Sequence, residues 1–457
     1  MTIETHQMSP HEFSAAQAAN YIREGQISCE DLIKSLLDRS ERLNPQLNLW
    51  AELDTTRAIK DARQKDRELA TSGPMGSLHG VPVGIKDIFN TKGIRTSHGS
   101  PIYEDHIPNF DATSVALLKS AGSIIMGKTV TTEFACGDPP STLNPWNKHR
   151  TPGGSSTGSA VGVASNIFPV AMGSQTAGSV LRPAAYNGIV GTKPTMGRIS
   201  RYGVHPVSWS VDTMGFFSRT IEDAALMLSV LARWDSKDQY SSHVSHKELD
   251  FDQHSDRKPQ SIGILQSFFL EECDPEVKSH ISNLTNLISN EGVKIDEINL
   301  PFDMDLIHAA HRMVMNVNGA SIHSDGFNQS PNKYAEDVRR MIEIGILTPA
   351  TAYIKAEKIR QVYRRELLKQ IAPYEVIITS TTKEAGPPDT ATTGDPRWQA
   401  AITTAGLPAI SLPYGVTAKG LPLGIQIIGK PFDEKKLLSA ASWIEKIVGF
   451  DNKPDIK

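Results

Sequence analysis

Cysteine is nearly absent from this chain: Cys29, Cys136 and Cys273 are the only three in 457 residues. An odd number of widely separated thiols speaks against a disulfide framework and fits a reducing compartment, so the cytoplasm is the expected location. Long apolar runs are missing too. No window approaches the roughly 18 uninterrupted apolar residues of a membrane-spanning helix, so no membrane association is expected. The first residues, Met1-Thr2-Ile3-Glu4-Thr5-His6-Gln7, lack the basic region and apolar core of a secretory leader. Nor is there an excess of one charge: 47 basic and 51 acidic residues leave a net charge of −4. That balance gives no electrostatic attraction to nucleic acid or to an anionic surface. What remains is an ordinary globular composition, 39% hydrophobic and 21% charged, long enough for a large α/β enzyme.

The pattern along the chain alternates helices with strands. The first 45 or so residues read as helices, with Ser28-Cys29-Glu30-Asp31 resembling a capping box ahead of Leu32, Ile33, Leu36 and Leu37. Val81 to Ile85 reads as a buried strand that delivers Lys86 at its end. Thr113 to Ala121 reads as a helix, Ser123 to Gly127 as a strand, and a small-residue helix starts near Ser159. Phe168 to Gly173 is a further strand. Polarity rises from Asp235 to Lys258 without apolar periodicity, as in an exposed linker. Beyond it, Ser261 to Leu265, Lys294 to Leu300, Glu375 to Thr379, Ala409 to Leu412 and Leu423 to Ile428 read as extended. Helices are expected from about Pro275, over Ala352 to Ile371 with Ile354, Ile359 and Val362 on its apolar side, and over Asp433 to Ile447. Interleaved strands and helices imply an α/β sheet covered on both faces.

Three segments carry chemistry. Gly153 to Gly158 has the glycine spacing of a phosphate-binding loop but lacks the lysine that loop requires. Gly154-Ser155-Ser156-Thr157-Gly158 also fits a nucleophile elbow. A polar, proline-bounded loop precedes it, however, where a strand is needed, and no histidine follows His323. Alone, the segment reads as a flexible Gly-Ser turn. Thr176-Ala177-Gly178-Ser179 differs, because it follows a strand and its small residues let successive backbone N–H groups converge. Such a nest suits an oxyanion hole with Ser179 beside it as nucleophile. A serine hydroxyl needs a base, neither flank of Ser179 supplies a histidine, and Lys86 is the candidate. A lysine ordinarily holds its proton up to a pKa of about 10.4. Burial against Val81 to Ile85 disfavours the charged form and would leave an amine able to accept a proton. The residues themselves leave open whether Ser155 or Ser156 stands between them.

These segments, with Leu78-His79-Gly80-Val81-Pro82-Val83-Gly84-Ile85-Lys86-Asp87 and the run from Pro152 through Gly188-Ile189-Val190-Gly191-Thr192-Lys193-Pro194-Thr195, resemble the amidase signature family. Further matches lie at Thr131 to Ala135, Gly197 to Gly203, Asp212 to Gly215, Arg219 to Ala225, Gly406 to Pro413 and Gly420 to Gln426. The match is weakest over 237–370, the half expected to supply the pocket walls. The resemblance implies one domain: N-terminal helices over 1–70, a signature core over 71–232, the linker at about 235–258, and 259–457 completing sheet and pocket. It implies an amidase signature fold, a large mixed β-sheet of about eleven strands under helices on both faces. It also implies a Ser–Ser–Lys triad in which Ser179 attacks a carbonyl and Ser155, chosen over Ser156, relays the proton to Lys86. Backbone N–H groups of Thr176, Ala177, Gly178 and Ser179 would form the oxyanion hole. Ala135 and Cys136 would line the acyl side, with Ser156, Gln175 and Arg182 in support.

The chain departs from the commoner family pattern at three places. Gln175 stands where many members have aspartate, Ala177 where glycine is commoner, and Arg182 one position late. These departures resemble a subgroup of stand-alone amidases. Asp212 and Glu222 are expected to cap or pair, and Cys136 to act as a small buried hydrophobe. The resulting expectation is a hydrolase of small amides, aryl amides, carbamates of urethane type or esters. It would work through an acyl-enzyme, with water as co-substrate, no metal and no organic cofactor. The alternatives are a glutamine-hydrolysing amidotransferase A subunit and a non-catalytic scaffold. Nothing in the residues excludes a homodimer.

Overall fold

The computed structural model describes residues 8–245 and 257–456. Its centre is one eleven-stranded mixed sheet. The strands are β1 (Trp50–Leu53), β2 (Pro82–Lys86), β3 (Ile124–Thr129), β4 (Val170–Gln175), β5 (Val190–Lys193), β6 (Thr213–Ser218), β7 (Ser261–Leu265), β8 (Lys294–Ile298), β9 (Val376–Ser380), β10 (Ala409–Val416) and β11 (Pro422–Ile428). Across the sheet they run β1-β3-β2-β4-β6-β5-β10-β11-β9-β7-β8. β2 lies parallel to both β3 and β4, and β7 lies parallel to both β8 and β9. The strands between these two groups pair antiparallel. The mixed α/β fold is therefore the one expected.

Alternation along each strand sorts side chains between the two faces. Ile125, Val170, Met172 and Phe216 enter one apolar core. Their neighbours Ile124, Met126, Ala171 and Phe217 enter the core on the other side. The first core is covered by helices Thr113–Ser120, Ile221–Leu231 and Glu434–Val448, the second by Cys29–Leu47 and Thr157–Ala164. Each fully buried Val, Leu or Ile contributes roughly 1.5–3 kcal/mol relative to exposure, so a strand buried on both faces is strongly held. That matters for β2 and β4, whose residues are buried throughout and which end at the chemistry-bearing segments.

Several expectations change. The first 70 residues are not helical throughout, because β1 joins the edge of the sheet by pairing with β3. Ser28 does cap its helix, accepting from Asp31 N at 3.0 Å, but the Asp31 carboxylate accepts from the Ser28 hydroxyl at 2.7 Å and leaves the capping box incomplete. On helix Ala350–Ile371 the expected apolar side is wrong: Ile354 and Val362 are about half exposed, and the buried face is Ala356, Arg360, Tyr363, Leu367 and Ile371. Arg360 can turn inward because Glu357 pairs with it at 2.8 Å and Ser210 O accepts from it at 3.0 Å. The first part of the expected linker carries no helix or strand, yet it is tied down. The Asp235 carboxylate accepts from Thr113 and Ser200 hydroxyls, both at 2.6 Å, and Asp238 accepts from Arg201 N at 2.8 Å. Residues 246–256 of that linker lie outside the described residues.

Helix Thr157–Ala164 is buried along its whole length, and its small residues are what allow this. A Cβ on Gly158 would lie 2.6 Å from Val130 N and closer still to Leu49 O. Backbone atoms cannot yield as a side chain does. Gly158→Ala should therefore destabilise the fold by about 2–3 kcal/mol, measured as a lower denaturant midpoint. An unchanged midpoint would show that the helix has room to shift.

Candidate active site

Lys86 is the last residue of β2 and is fully buried. Its Nζ donates to Ser155 Oγ at 2.7 Å and to Ser174 Oγ at 2.9 Å. No acidic side chain lies within ion-pair distance of that amine among the described residues. Desolvation pushes its pKa down to about 7, against a weaker upward pull from Cys136 and Asp212. Two other lysines are as deeply buried, and their partners differ. Lys128 Nζ donates to Phe89 O and Thr96 Oγ1, both at 2.7 Å, and stands 3.3 Å from Asp87 Oδ1. Lys193 Nζ donates to the carbonyls of Pro194 and Leu407. Desolvation lowers the pKa of these two as well, Lys128 to about 8 and Lys193 to about 7, but carbonyls and a carboxylate can only accept and have no proton to exchange with the amine. Among the described residues Lys86 is the fully buried lysine that meets only hydroxyls, and a hydroxyl can give a proton as well as accept one.

The 151–156 loop presents Ser155 to that amine. The Gly154–Ser155 peptide is cis. The Gly154 carbonyl accepts from Arg182 Nη2 at 2.8 Å, and Arg182 also donates to Thr393 Oγ1 at 3.0 Å. Ser156 points elsewhere: its hydroxyl donates to Ser174 O and accepts from Ser174 N, both at 3.3 Å. The loop is thereby fastened to the end of β4.

Past β4 the chain turns through 176–180 into helix Leu181–Asn187. Gln175 Oε1 accepts from Val180 N and Leu181 N, both at 2.9 Å, so this side chain anchors the exit of the turn. Thr176 Oγ1 donates to Asp212 Oδ1 at 2.6 Å, and Asp212 Oδ2 accepts from Val207 N and Ser208 N. Asp212 caps no helix; its structural role is to tie the turn to the 207–212 segment, and burial raises its pKa. Glu222 does lie in the first turn of a helix, one that Thr220 caps.

Ser155, Thr176, Ala177, Ser179 and Arg182 all border one cavity of about 290 Å³. Ala135 and Cys136 line the same cavity, on a segment where Phe134 and Ala135 take positive φ of 48° and 60°. The Cys136 thiol is pushed up to about 12 by burial, so it stays protonated and contributes bulk to the wall. The opposite wall is Met315, Asn316, Asp337, Arg340, Met341 and Ile344, with Thr393 and Pro396. These residues come from helices Met304–Gln329 and Glu336–Leu347 and from the loop before helix Arg397–Thr404. Sequence reasoning placed the walls in the second half but named none of these residues. It also missed Ser174, whose role appears only once β2 and β4 run side by side in parallel.

The profile of the family described as Amidase matches residues 31–438, and the chain belongs to that family, the amidase signature enzymes. It is an amidase-family enzyme, a C–N hydrolase or an amidotransferase. The chain is 34% identical to the glutamyl-tRNA(Gln) amidotransferase A subunit of Carboxydothermus hydrogenoformans, over 97% of this chain and 99% of that one. The corresponding protein of Geotalea daltonii is 32% identical, over 96% and 98%. Among solved structures, the peptide amidase of Stenotrophomonas maltophilia superimposes with a TM-score of 0.86 at 27% identity, covering 97% of this chain and 98% of that one.

Ser156→Ala would remove both contacts between the Ser156 hydroxyl and Ser174. A loss of about 1 kcal/mol in unfolding free energy is expected, visible as a lower denaturant midpoint. A variant as stable as the parent would mean that these bonds do not hold the loop to β4.

Proposed function

We propose that the chain is a serine hydrolase that cleaves a carboxamide, or the equivalent carbamate or ester, through an acyl-enzyme on Ser179. The observation that carries this reading is the buried Lys86 amine, 2.7 Å from Ser155 Oγ, with hydroxyls as its only hydrogen-bond partners among the described residues. Ser179 Oγ attacks the carbonyl carbon as its proton moves to Ser155 Oγ, while the Ser155 proton moves to Lys86 Nζ. One C–O bond forms, and the carbonyl π pair becomes an oxyanion facing the N–H groups of 176–179. Collapse breaks the C–N or C–O bond, and Lys86 returns its proton through Ser155 to the leaving amine or alcohol. Water then repeats the sequence on the ester, releasing the acid and restoring Ser179. The small cavity, where Cys136, Val207, Met315, Met341 and Ile344 meet polar groups that include Arg182, Asp337 and Arg340, supports a reading of small amides, aryl amides and urethane-type carbamates.

A second reading, glutamine hydrolysis as an amidotransferase A subunit, is supported by identities above 30% to such subunits along nearly the whole chain. The two readings separate when the purified chain is offered anilide, carbamate, ester and glutamine substrates. Turnover of simple amides by the single chain favours the first; ammonia release from glutamine only in the presence of a partner protein favours the second.

Ser179→Ala should abolish labelling by a serine-directed fluorophosphonate, and a variant that still labels would place the nucleophile elsewhere. Because burial lowers the Lys86 pKa to about 7, the neutral base accumulates above that pH. Acylation should therefore accelerate through about pH 7 and level off on the alkaline side. Lys86→Ala should lose that limb and slow acylation by about 10²–10⁴-fold. A pH profile unchanged in this variant would remove Lys86 from the role of base.

A further inference from the structure

Two of the departures from the commoner family pattern, Gln175 and Ala177, converge on one side chain. Thr403, in helix Arg397–Thr404, accepts from Gln175 Nε2 at 2.9 Å and lies 2.8 Å from Ala177 O and 2.9 Å from Gln399 O. All of this is buried: Gln175 and Gln399 are 0% exposed and Thr403 1%. A threonine hydroxyl has a single hydrogen. Since Gln175 donates into the hydroxyl oxygen, that hydrogen must point outward, to one of the two carbonyls. The Gln399 carbonyl sits four residues back in the same helix, where the helical backbone already engages it. The Ala177 carbonyl belongs to the turn, and the hydroxyl is the donor that reaches it.

Peptide geometry makes this contact matter. Among the described residues the cis peptide is Gly154–Ser155, so Ala177–Gly178 is trans. In a planar trans unit the C=O and the following N–H point in opposite directions. Drawing Ala177 O toward Thr403 therefore aims Gly178 N–H away from helix Arg397–Thr404. The same helix limits the turn sterically, because a Cβ on residue 178 would press on Gln399 Oε1. Gln175 Oε1 meanwhile holds Val180 N and Leu181 N beyond Ser179. The turn is thus gripped on both sides of the nucleophile by one continuous set of bonds.

We infer that Gln175 and Thr403 are positioning residues that aim the Gly178 N–H at the oxyanion, and that this is why an amide occupies position 175. This rests on the serine-hydrolase reading above. The amide matters because it offers both a donor and an acceptor. A carboxylate at 175 would accept the Thr403 hydrogen itself, and Ala177 O would lose its partner. The turn would then be free to rotate about the 177–178 peptide just where negative charge develops. Binding of the uncharged ground-state carbonyl would change little, whereas the transition state would lose a preorganised donor.

The test compares Thr403→Val, which keeps the shape and deletes the hydroxyl, with Thr403→Ser, which keeps the hydroxyl. Turnover of an anilide substrate and thermal midpoints are measured alongside the parent. Thr403→Val should lower kcat by about 10–100-fold with KM within about twofold, and Thr403→Ser should recover most of that loss. Gln175→Glu is the second variant, useful if the valine variant does not fold, and should show the same loss of kcat at constant KM. A parental kcat in either variant, a serine variant no better than valine, or a change confined to KM would overturn the assignment. Fluorophosphonate labelling separates the two levels. A parent chain that fails to label at Ser179 defeats the hydrolase reading, while a parent and Thr403→Val that label at equal rates defeat this inference alone.

Discussion

Everything at the site depends on removing one ammonium from water without giving it a counter-ion among the described residues. Lys86 loses hydration on a strand buried from both sides, and the sheet, its two helical layers and helix Thr157–Ala164 all contribute to that exclusion. The cost of burying the charge appears as a depressed pKa. A carboxylate beside it would oppose the effect, as Asp87 does at Lys128 one strand away, where desolvation still holds the pKa down to about 8. The surroundings of Lys86 instead consist of hydroxyls, which satisfy the amine without fixing its proton. What sets Lys86 apart is therefore the chemistry of its partners, since depth of burial and the depressed pKa that follows from it are shared by all three.

Much of the framework was legible because strands buried on both faces leave a plain signal. Val81 to Ile85 and Phe168 to Met172 are short apolar runs bounded by turns, and both segments became central strands. Less was legible where burial is partial or polar. β1 is four half-buried residues that include Glu52, with no clean alternation. Helix Met304–Gln329 buries His308, His311, Asn318 and His323 among its apolar positions, so no simple stripe announces it. Helix Ala350–Ile371 misled in the opposite way, since its conspicuous isoleucine and valine face solvent while Arg360 and Tyr363 turn inward. At the site, spacing alone could not separate Ser155 from Ser156, because adjacent serines differ only in the direction of the hydroxyl. That direction depends on contacts made far away in the chain, at Lys86 and Ser174.

The two halves of the chain divide the work. Residues of the first half supply the amine, the serines and the turn, all at ends of neighbouring strands. Residues of the second half supply most of the cavity's far wall. Helix Arg397–Thr404 belongs to both systems: Thr403 reaches the turn, and Thr404 bonds His311 Nδ1 at 2.8 Å on the helix that carries Met315 and Asn316. The wall that would meet a substrate and the turn that would hold its oxyanion thus share one rigid support.

The two borders of the sheet are also unalike, and that bears on how the molecule behaves in a crowd. A long open strand invites a stranger's backbone to add itself. Here one border is β1, only four residues long. The other is β8, where Lys294, Asp296 and Glu297 leave little apolar surface to seal such a junction. An eleven-stranded sheet is a broad template for runaway association, and this one is finished at both margins so that its hydrogen-bonding capacity stays its own.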